Sequence, residues 1–255
     1  RAATLWALGT GVMAFLGASP IRLYAEGWDV DLLEKRTRDS IRLAKQNGHV
    51  ATFVTEDTTR AHPDTLRRLF LAAIEEGADG LCVCDTCGHA SDTGVRNLIA
   101  FTRGVIAETG KNVRIDWHGH NDRGYGLSNA ITACEAGADR VHGCVLGVGE
   151  RVGNTSLDQL LVNLHLWGLI DRDLTPLVEY VSLVSEHCGI PIPPNYPALG
   201  ADAFRTATGV HAAAVVKALR KGDRALADRV YSAVPASLLG REQRNDRRMP
   251  RFPAL

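Results

Sequence analysis

The segment Asp116-Trp117-His118-Gly119-His120-Asn121-Asp122 sets two imidazoles two positions apart at the end of a short apolar run. Side chains in a strand alternate faces with a period of two, so both rings project from the same face. Two imidazoles on one face can close on one divalent ion; the alternative is a pair of strand histidines satisfied by hydrogen bonds. Asp116, on the same face, and Asp122 are candidate acceptors for the remaining ring nitrogens, which would fix the tautomers. A mixed imidazole and oxygen ligand set suits Zn2+, Mn2+ or Mg2+ without choosing among them.

Other polar residues stand at comparable places. Glu56-Asp57 ends an apolar run, either as a carboxylate that orients a substrate or a base, or as an acidic cap before Thr58-Thr59. Asp85-Thr86 ends another run, where the Thr86 hydroxyl can hold a substrate carboxylate. Cys82-x-Cys84-x-x-Cys87 has no second cysteine pair at zinc-finger spacing, so its thiols read as core and mouth-lining. Gly149-Glu150-Arg151-Val152-Gly153-Asn154 reads as a rigid loop with an internal Glu–Arg pair, and the Asn154 amide oxygen could complete a metal shell. His211 lies in a helical stretch remote in sequence from these, where a surface histidine is the plain reading.

The elements that must position these residues alternate. Strands are expected at Val12–Gly17, Val50–Thr55, Leu81–Cys84, Val113–Trp117 and Val141–Leu146, with a short sixth near Leu169–Ile170. Helices are expected at Asp29–Gln46, Pro63–Glu76, Asp92–Glu108, Leu127–Glu135 and Ser156–Trp167. Glu76-Gly77-Ala78-Asp79 and Glu135-Ala136-Gly137-Ala138-Asp139 end two helices almost identically, with glycine placed as a left-handed cap. Repeated βα units with nearly all-apolar strands mean a parallel sheet covered on both faces. The polar residues follow successive strand ends, as they do at the mouth of a (β/α)8 barrel. An open doubly wound sheet would gather them at one switch point, and no Gly-x-Gly-x-x-Gly follows a strand. The expected fold class is therefore α/β, a partial (β/α)8 TIM barrel lacking its first βα units, followed by a small helical appendage. Residues 1–172 form the barrel domain, 173–244 a linker and helical subdomain with helices at Pro176–His187 and Ala201–Leu219, and 245–255 a basic, disordered tail.

Composition removes several function classes. Lys+Arg and Asp+Glu are both 29, so no global field draws nucleic acid or an anionic membrane. The uncharged stretch 2–21 is broken by Gly9, Gly11, Gly17 and Pro20, and reads as a buried strand rather than a targeting segment or membrane span. Six cysteines within mostly apolar segments read as reduced thiols, and hence a cytoplasmic protein.

Taken together, Phe53-Val54-Thr55-Glu56-Asp57, Asp85-Thr86-Cys87-Gly88, His118-Gly119-His120-Asn121-Asp122 and Gly149–Asn154 resemble, in order, the metal-dependent (β/α)8 family of 2-isopropylmalate, homocitrate and citramalate synthases and hydroxymethylglutaryl-CoA lyase. The resemblance covers about residues 11–243. It implies that His118, His120 and Asn154 bind a divalent metal, that Thr86 holds the carboxylate of a 2-oxo acid, and that Glu56 sits in the substrate pocket. It further implies that His211, in Thr208-Gly209-Val210-His211, acts in proton transfer at a barrel mouth of the partner subunit in a homodimer, with Tyr231 assisting. The implied reaction joins acetyl-CoA to a 2-oxo acid by Claisen condensation with thioester hydrolysis, as in leucine-type amino-acid biosynthesis.

Three departures from the family pattern bear on this. The family's first strand, with an Arg-Asp pair supplying an arginine and a metal-binding aspartate, has no counterpart here. Arg22, in Ser19-Pro20-Ile21-Arg22, stands where the synthases commonly show His, placing Arg22 among the substrate-binding residues and leaving the 2-oxo acid open. After Arg241-Glu242-Gln243 the family-like pattern stops. The alternatives are a carbon–carbon lyase of the hydroxymethylglutaryl-CoA lyase type and an inactive fragment. The lyases carry a cysteine in the loop corresponding to Gly147–Gly153, which has none here.

Overall fold

The computed structural model describes residues 11–206 and 209–244. Contacts divide the chain into two units, Arg1–Ser156 and Leu157–Leu255. The basic tail expected at 245–255 lies outside the described residues.

In the first unit the strands are β1 (Gly11–Gly17), β2 (Val50–Glu56), β3 (Gly80–Asp85), β4 (Arg114–Gly119) and β5 (Arg140–Val141). All pairs are parallel, and the strand order is sequential, β1-β2-β3-β4-β5. A doubly wound sheet reverses its order at a switch point; this one winds in a single direction. The fold is therefore α/β, an arc of a (β/α)8 barrel. The register sets strand ends side by side: Gly17 beside Glu56, and Asp85 beside Gly119. Chemistry-bearing residues from remote parts of the sequence thus come to one edge.

The helices of this unit are α1 (Pro20–Glu26), α2 (Val30–Gln46), α3 (Pro63–Glu75), α4 (Asp92–Thr109) and α5 (Gly126–Glu135). Their starts follow from local chemistry. Asp29 Oδ1 accepts from the Leu32 amide at 2.7 Å, Ser91 Oγ from that of Gly94 at 3.2 Å, and Pro63 occupies the first turn of α3. The apolar faces of α2 to α5 cover the sheet with Leu33, Ile41, Leu69, Phe70, Ile99 and Ala130, all fully buried.

The two Gly-Ala-Asp repeats are one device used twice. Gly77 and Gly137 take positive φ (95° and 96°) and end α3 and α5. Asp79 then accepts from the Ala51 amide and Lys45 Nζ, both at 2.8 Å; Asp139 accepts from the Ile115 amide at 2.8 Å and Arg103 Nη2 at 3.1 Å. Each carboxylate clamps the amino-terminal edge of the sheet, opposite the edge that carries the site residues.

Several elements differ from expectation. The sequence pattern misses α1, whose Ser19 cap and Pro20 start are standard helix signals. The run expected as a buried first strand is half-exposed: Met13 and Phe15 are 52% and 65% exposed, because among the described residues no strand pairs with the other edge of β1. The strand expected at Val141–Leu146 is two residues long, since the chain turns through a left-handed Leu146 (φ 57°). Leu169–Ile170 forms no strand.

The second unit contains α6 (Leu157–Leu166), α7 (Leu177–Cys188), α8 (Gly209–Arg220) and α9 (Arg224–Arg229). Val215 and Ala218 of α8 pack with Ala227 and Val230. The helix expected at Ala201–Leu219 begins only at Gly209; 201–204 form turns and 207–208 lie outside the described residues. Among the described residues no helix is long and apolar enough to cross a membrane.

Candidate functional site

The carboxyl ends of β1 to β5 border an open cavity of about 680 Å³, and Arg22, Glu56, Thr86, His118, His120 and Asn154 all line it. Six residues from the ends of five successive strands thus face one space in the first unit.

His118 and His120 stand at the end of β4 with their Nε2 atoms 3.3 Å apart and their rings nearly perpendicular. Two imidazole nitrogens bound tetrahedrally to one ion at ~2.05 Å lie about 3.3 Å from each other. Burial, then the imidazoles of His120 and His142, lower the His118 pKa to about 4. His118 is therefore neutral at physiological pH, the state in which imidazole offers a lone pair.

Asn154 reaches the same place through the loop after β5 and forms a bridge with His120. Its Nδ2 donates to the Val148 carbonyl at 3.1 Å, an acceptor only, which turns Oδ1 the other way. Asn154 Oδ1 is buried without a partner, as is His120 Nδ1. An unpaired buried acceptor costs ~1–3 kcal/mol, which a cation or water would relieve. The loop can follow this path only with glycine: a Cβ on Gly149 would fall 2.2 Å from Asn154 Nδ2, and one on Gly153 1.9 Å from the Gly147 carbonyl oxygen. The residues present thus offer two imidazole nitrogens 3.3 Å apart and an unpartnered amide oxygen on a residue of the same cavity, a donor set compatible with a divalent cation.

Thr86 sits just past β3. Its hydroxyl accepts from the Asp57 amide at 2.8 Å, which leaves the hydroxyl proton to donate to a ligand. Asp85 beside it is fully buried and accepts from the amides of His89 and Ala90 and from Thr59 Oγ1, so its role is to shape the loop. Glu56 Oε2 lies 3.7 Å from Arg22 Nε, and Arg22 also pairs with Glu26 at 3.0 Å. His211 belongs to the second unit, exposed on α8, its ring centroid 4.2 Å from that of Tyr231.

The acceptors expected for the histidines are engaged elsewhere. Asp116 is fully buried, 2.6 Å from Arg114 Nε and 3.7 Å from both Arg140 Nη1 and His142 Nε2. Asp122 pairs with Arg151, at 2.7 and 3.0 Å.

A family model described as HMGL-like matches residues 2–184. The chain belongs to the HMGL-like family. This HMGL-like chain is 34% identical over 209 residues to a Methanopyrus kandleri protein named probable 2-isopropylmalate synthase, covering 81% of the chain and 41% of that protein. It is 34% identical over 233 residues to a Saccharolobus islandicus homocitrate synthase, covering 90% of the chain and 48% of the relative. It spans about half the length of the curated relatives it matches. Among solved structures, the hydroxymethylglutaryl-CoA lyase of Pseudomonas aeruginosa superposes with a TM-score of 0.62 at 17% identity, covering 74% of this chain and 66% of that one. At that identity the likeness shows the fold.

Two residues in or beside this cavity have roles that the sequence pattern of this HMGL-like chain does not reveal. His142 lines the cavity, its ring centroid 5.7 Å from that of His118, and the Asp116 carboxylate, then Cys82, push its pKa up to about 9. It reads in sequence as the interior of a strand; its period-two spacing from Arg140, beside the buried Asp116, is the available signal. Arg151 reads as the partner of Glu150, which stands 3.5 Å away, yet its main partner is Asp122. Cys82 and Cys84, expected as core and mouth-lining thiols, are buried and free, their sulfurs 3.9 Å apart.

Proposed function

We propose that this chain belongs to an acyltransferase that condenses acetyl-CoA with a 2-oxo acid, of the 2-isopropylmalate or homocitrate synthase type. The observation that carries this reading is the 3.3 Å approach of His118 Nε2 and His120 Nε2 in a cavity also lined by Thr86 and by Asn154, whose Oδ1 has no partner. Membership of the HMGL-like family and the names of its curated relatives support it.

His118, His120 and Asn154 would hold a divalent metal, which when bound supplies Lewis-acid polarisation of a carbonyl. Thr86 donates its hydroxyl proton to the 2-oxo acid's carboxylate and so aims the keto carbon into the cavity. Glu56 works with Arg22 at the rim, where Arg22 meets the distal part of the 2-oxo acid and so bears on its choice. His211 moves the proton taken from, or returned to, the acetyl methyl, and a homodimer would present it to a partner's mouth. Thioester hydrolysis after the new carbon–carbon bond releases CoA and makes the reaction irreversible. The loop Gly147–Gly153 lacks a cysteine, which favours the synthase over the lyase.

The test is thiol release from acetyl-CoA with a panel of 2-oxo acids, including 2-oxoisovalerate and 2-oxoglutarate, with Zn2+, Mn2+ or Mg2+. Release with one acid that His118→Ala abolishes is the expected result. Absence of release with every acid and metal rejects the proposal.

A further inference from the structure

Left-handed backbone in residues other than glycine costs free energy and persists where the surroundings hold it in place. In the first unit, among the described residues, it occurs at Asp57 (φ 58°), Leu146 (57°) and Arg151 (57°). Two of these three bear directly on Thr86. The Asp57 amide donates to the Thr86 hydroxyl at 2.8 Å, and Arg151 Nη2 donates to the Thr86 carbonyl at 2.6 Å.

Arg151 does more than hold Thr86. Its guanidinium grips Asp122 with Nε and Nη2, a planar fork that lysine cannot reproduce. Asp122 lies two residues past His120, and Arg151 three before Asn154. Between them the Asn121 amide donates to the Gly153 carbonyl at 3.0 Å. One side chain therefore ties the end of β3, the end of β4 and the loop after β5.

We propose that Arg151 is a positioning residue that locks Thr86, His120 and Asn154 into one frame, setting the affinity of the cation site without touching the cation. The proposal rests on the metal-site reading given above. Its consequence is specific. Removing the guanidinium frees the loop that carries Asn154 while leaving the sheet, whose contacts lie beneath, in place.

Co2+ binding to the metal-free protein, followed by visible absorption, tests this without turnover. The parent binds Co2+ and His118→Ala does not. Arg151→Ala weakens Co2+ binding at least tenfold, the scale on which partners behind metal ligands act, with its far-UV spectrum and melting temperature retained. Arg151→Lys falls between the two. Arg123→Ala serves as a control: Arg123 donates to the His89 carbonyl outside the cavity, and its loss leaves Co2+ affinity unchanged. If Arg151→Ala does not fold, Asp122→Ala cuts the same fork from the other side and must weaken binding likewise. Parent-like Co2+ affinity in Arg151→Ala, or in Asp122→Ala where that variant stands in, overturns the positioning role alone, as does equal weakening in Arg123→Ala. A parent that binds no Co2+ overturns the metal-site reading as well.

Discussion

Replacing Asp85 separates the hydrogen-bonding demand of the β3 loop from its charge. Asp85 is fully buried at the end of β3. Its Oδ1 accepts from the His89 amide at 2.8 Å, Thr59 Oγ1 at 3.1 Å and the Ala90 amide at 3.2 Å; its Oδ2 lies 3.2 Å from the Ala90 amide and 3.4 Å from Asn129 Nδ2. In Asp85→Ala the Thr59 hydroxyl can rotate, but two backbone N–H groups lose their acceptor. At ~1–3 kcal/mol for each stranded donor, the first unit loses about 4 kcal/mol. Asp85→Asn keeps every contact of Oδ1 and sets an amide NH2 only against the weaker pair, so it costs roughly 1–2 kcal/mol. Urea unfolding read by tryptophan fluorescence reports on this unit through the fully buried Trp117. A loss below about 1 kcal/mol in Asp85→Ala refutes the reasoning. Equal losses in the two variants also refute it, since charge rather than acceptor geometry would then dominate.

Gly153→Ala places a methyl where the Gly147 carbonyl oxygen stands, at a φ of 96°, so the loop must leave its path. Co2+ affinity falls at least tenfold with the far-UV spectrum intact; unchanged affinity would show that the loop does not set the site. His142 gives the metal-free protein a pH dependence. Its pKa in the folded state is raised from 6.5 to about 9, chiefly by Asp116, so its contribution to stability is complete below pH 6.5 and is lost as pH rises through about 9. The shift corresponds to about 3 kcal/mol at most. Unfolding free energies at pH 6 and pH 9.5 should differ by more in the parent than in His142→Gln, and parallel pH profiles would exclude His142 as the source.

Much of this arrangement is legible in the sequence for a physical reason. Parallel strands buried on both faces read as apolar runs, and the first polar residue after each run marks its carboxyl end; Glu56, Thr86 and His120 stand at such ends. The two Gly-Ala-Asp repeats likewise announce a capped helix followed by a strand, because the left-handed glycine and the aspartate act locally. Pairings across many residues carry no such mark. Arg151 meets Asp122 and Thr86, 29 and 65 positions away, and beside it in sequence stands Glu150, which suggests a nearer partner. The α1 helix was hidden differently: Pro20 is a helix breaker in the interior and a helix former in the first turn, and the uncharged run before it favours the wrong choice.

Satisfied and unsatisfied buried groups are distributed unevenly around the cavity. Asp116 is ionic and fully buried in the wall, but Arg114, Arg140 and His142 surround it, so this part of the wall carries its own counterions. Asp57, also buried, is held by Arg60 at 2.7 Å. Among the described residues of the first unit, the buried side-chain polar atoms without a partner are Trp117 Nε1, His120 Nδ1 and Asn154 Oδ1. Two of these belong to the His120–Asn154 bridge at the end of β4. Burying such atoms without partners is costly, and two backbone glycines are committed to keeping Asn154 where it is. A purely structural loop would gain by letting that amide reach solvent. Its retention beside the histidine pair distinguishes the end of β4 from the charged wall, whose buried carboxylate carries its own counterions.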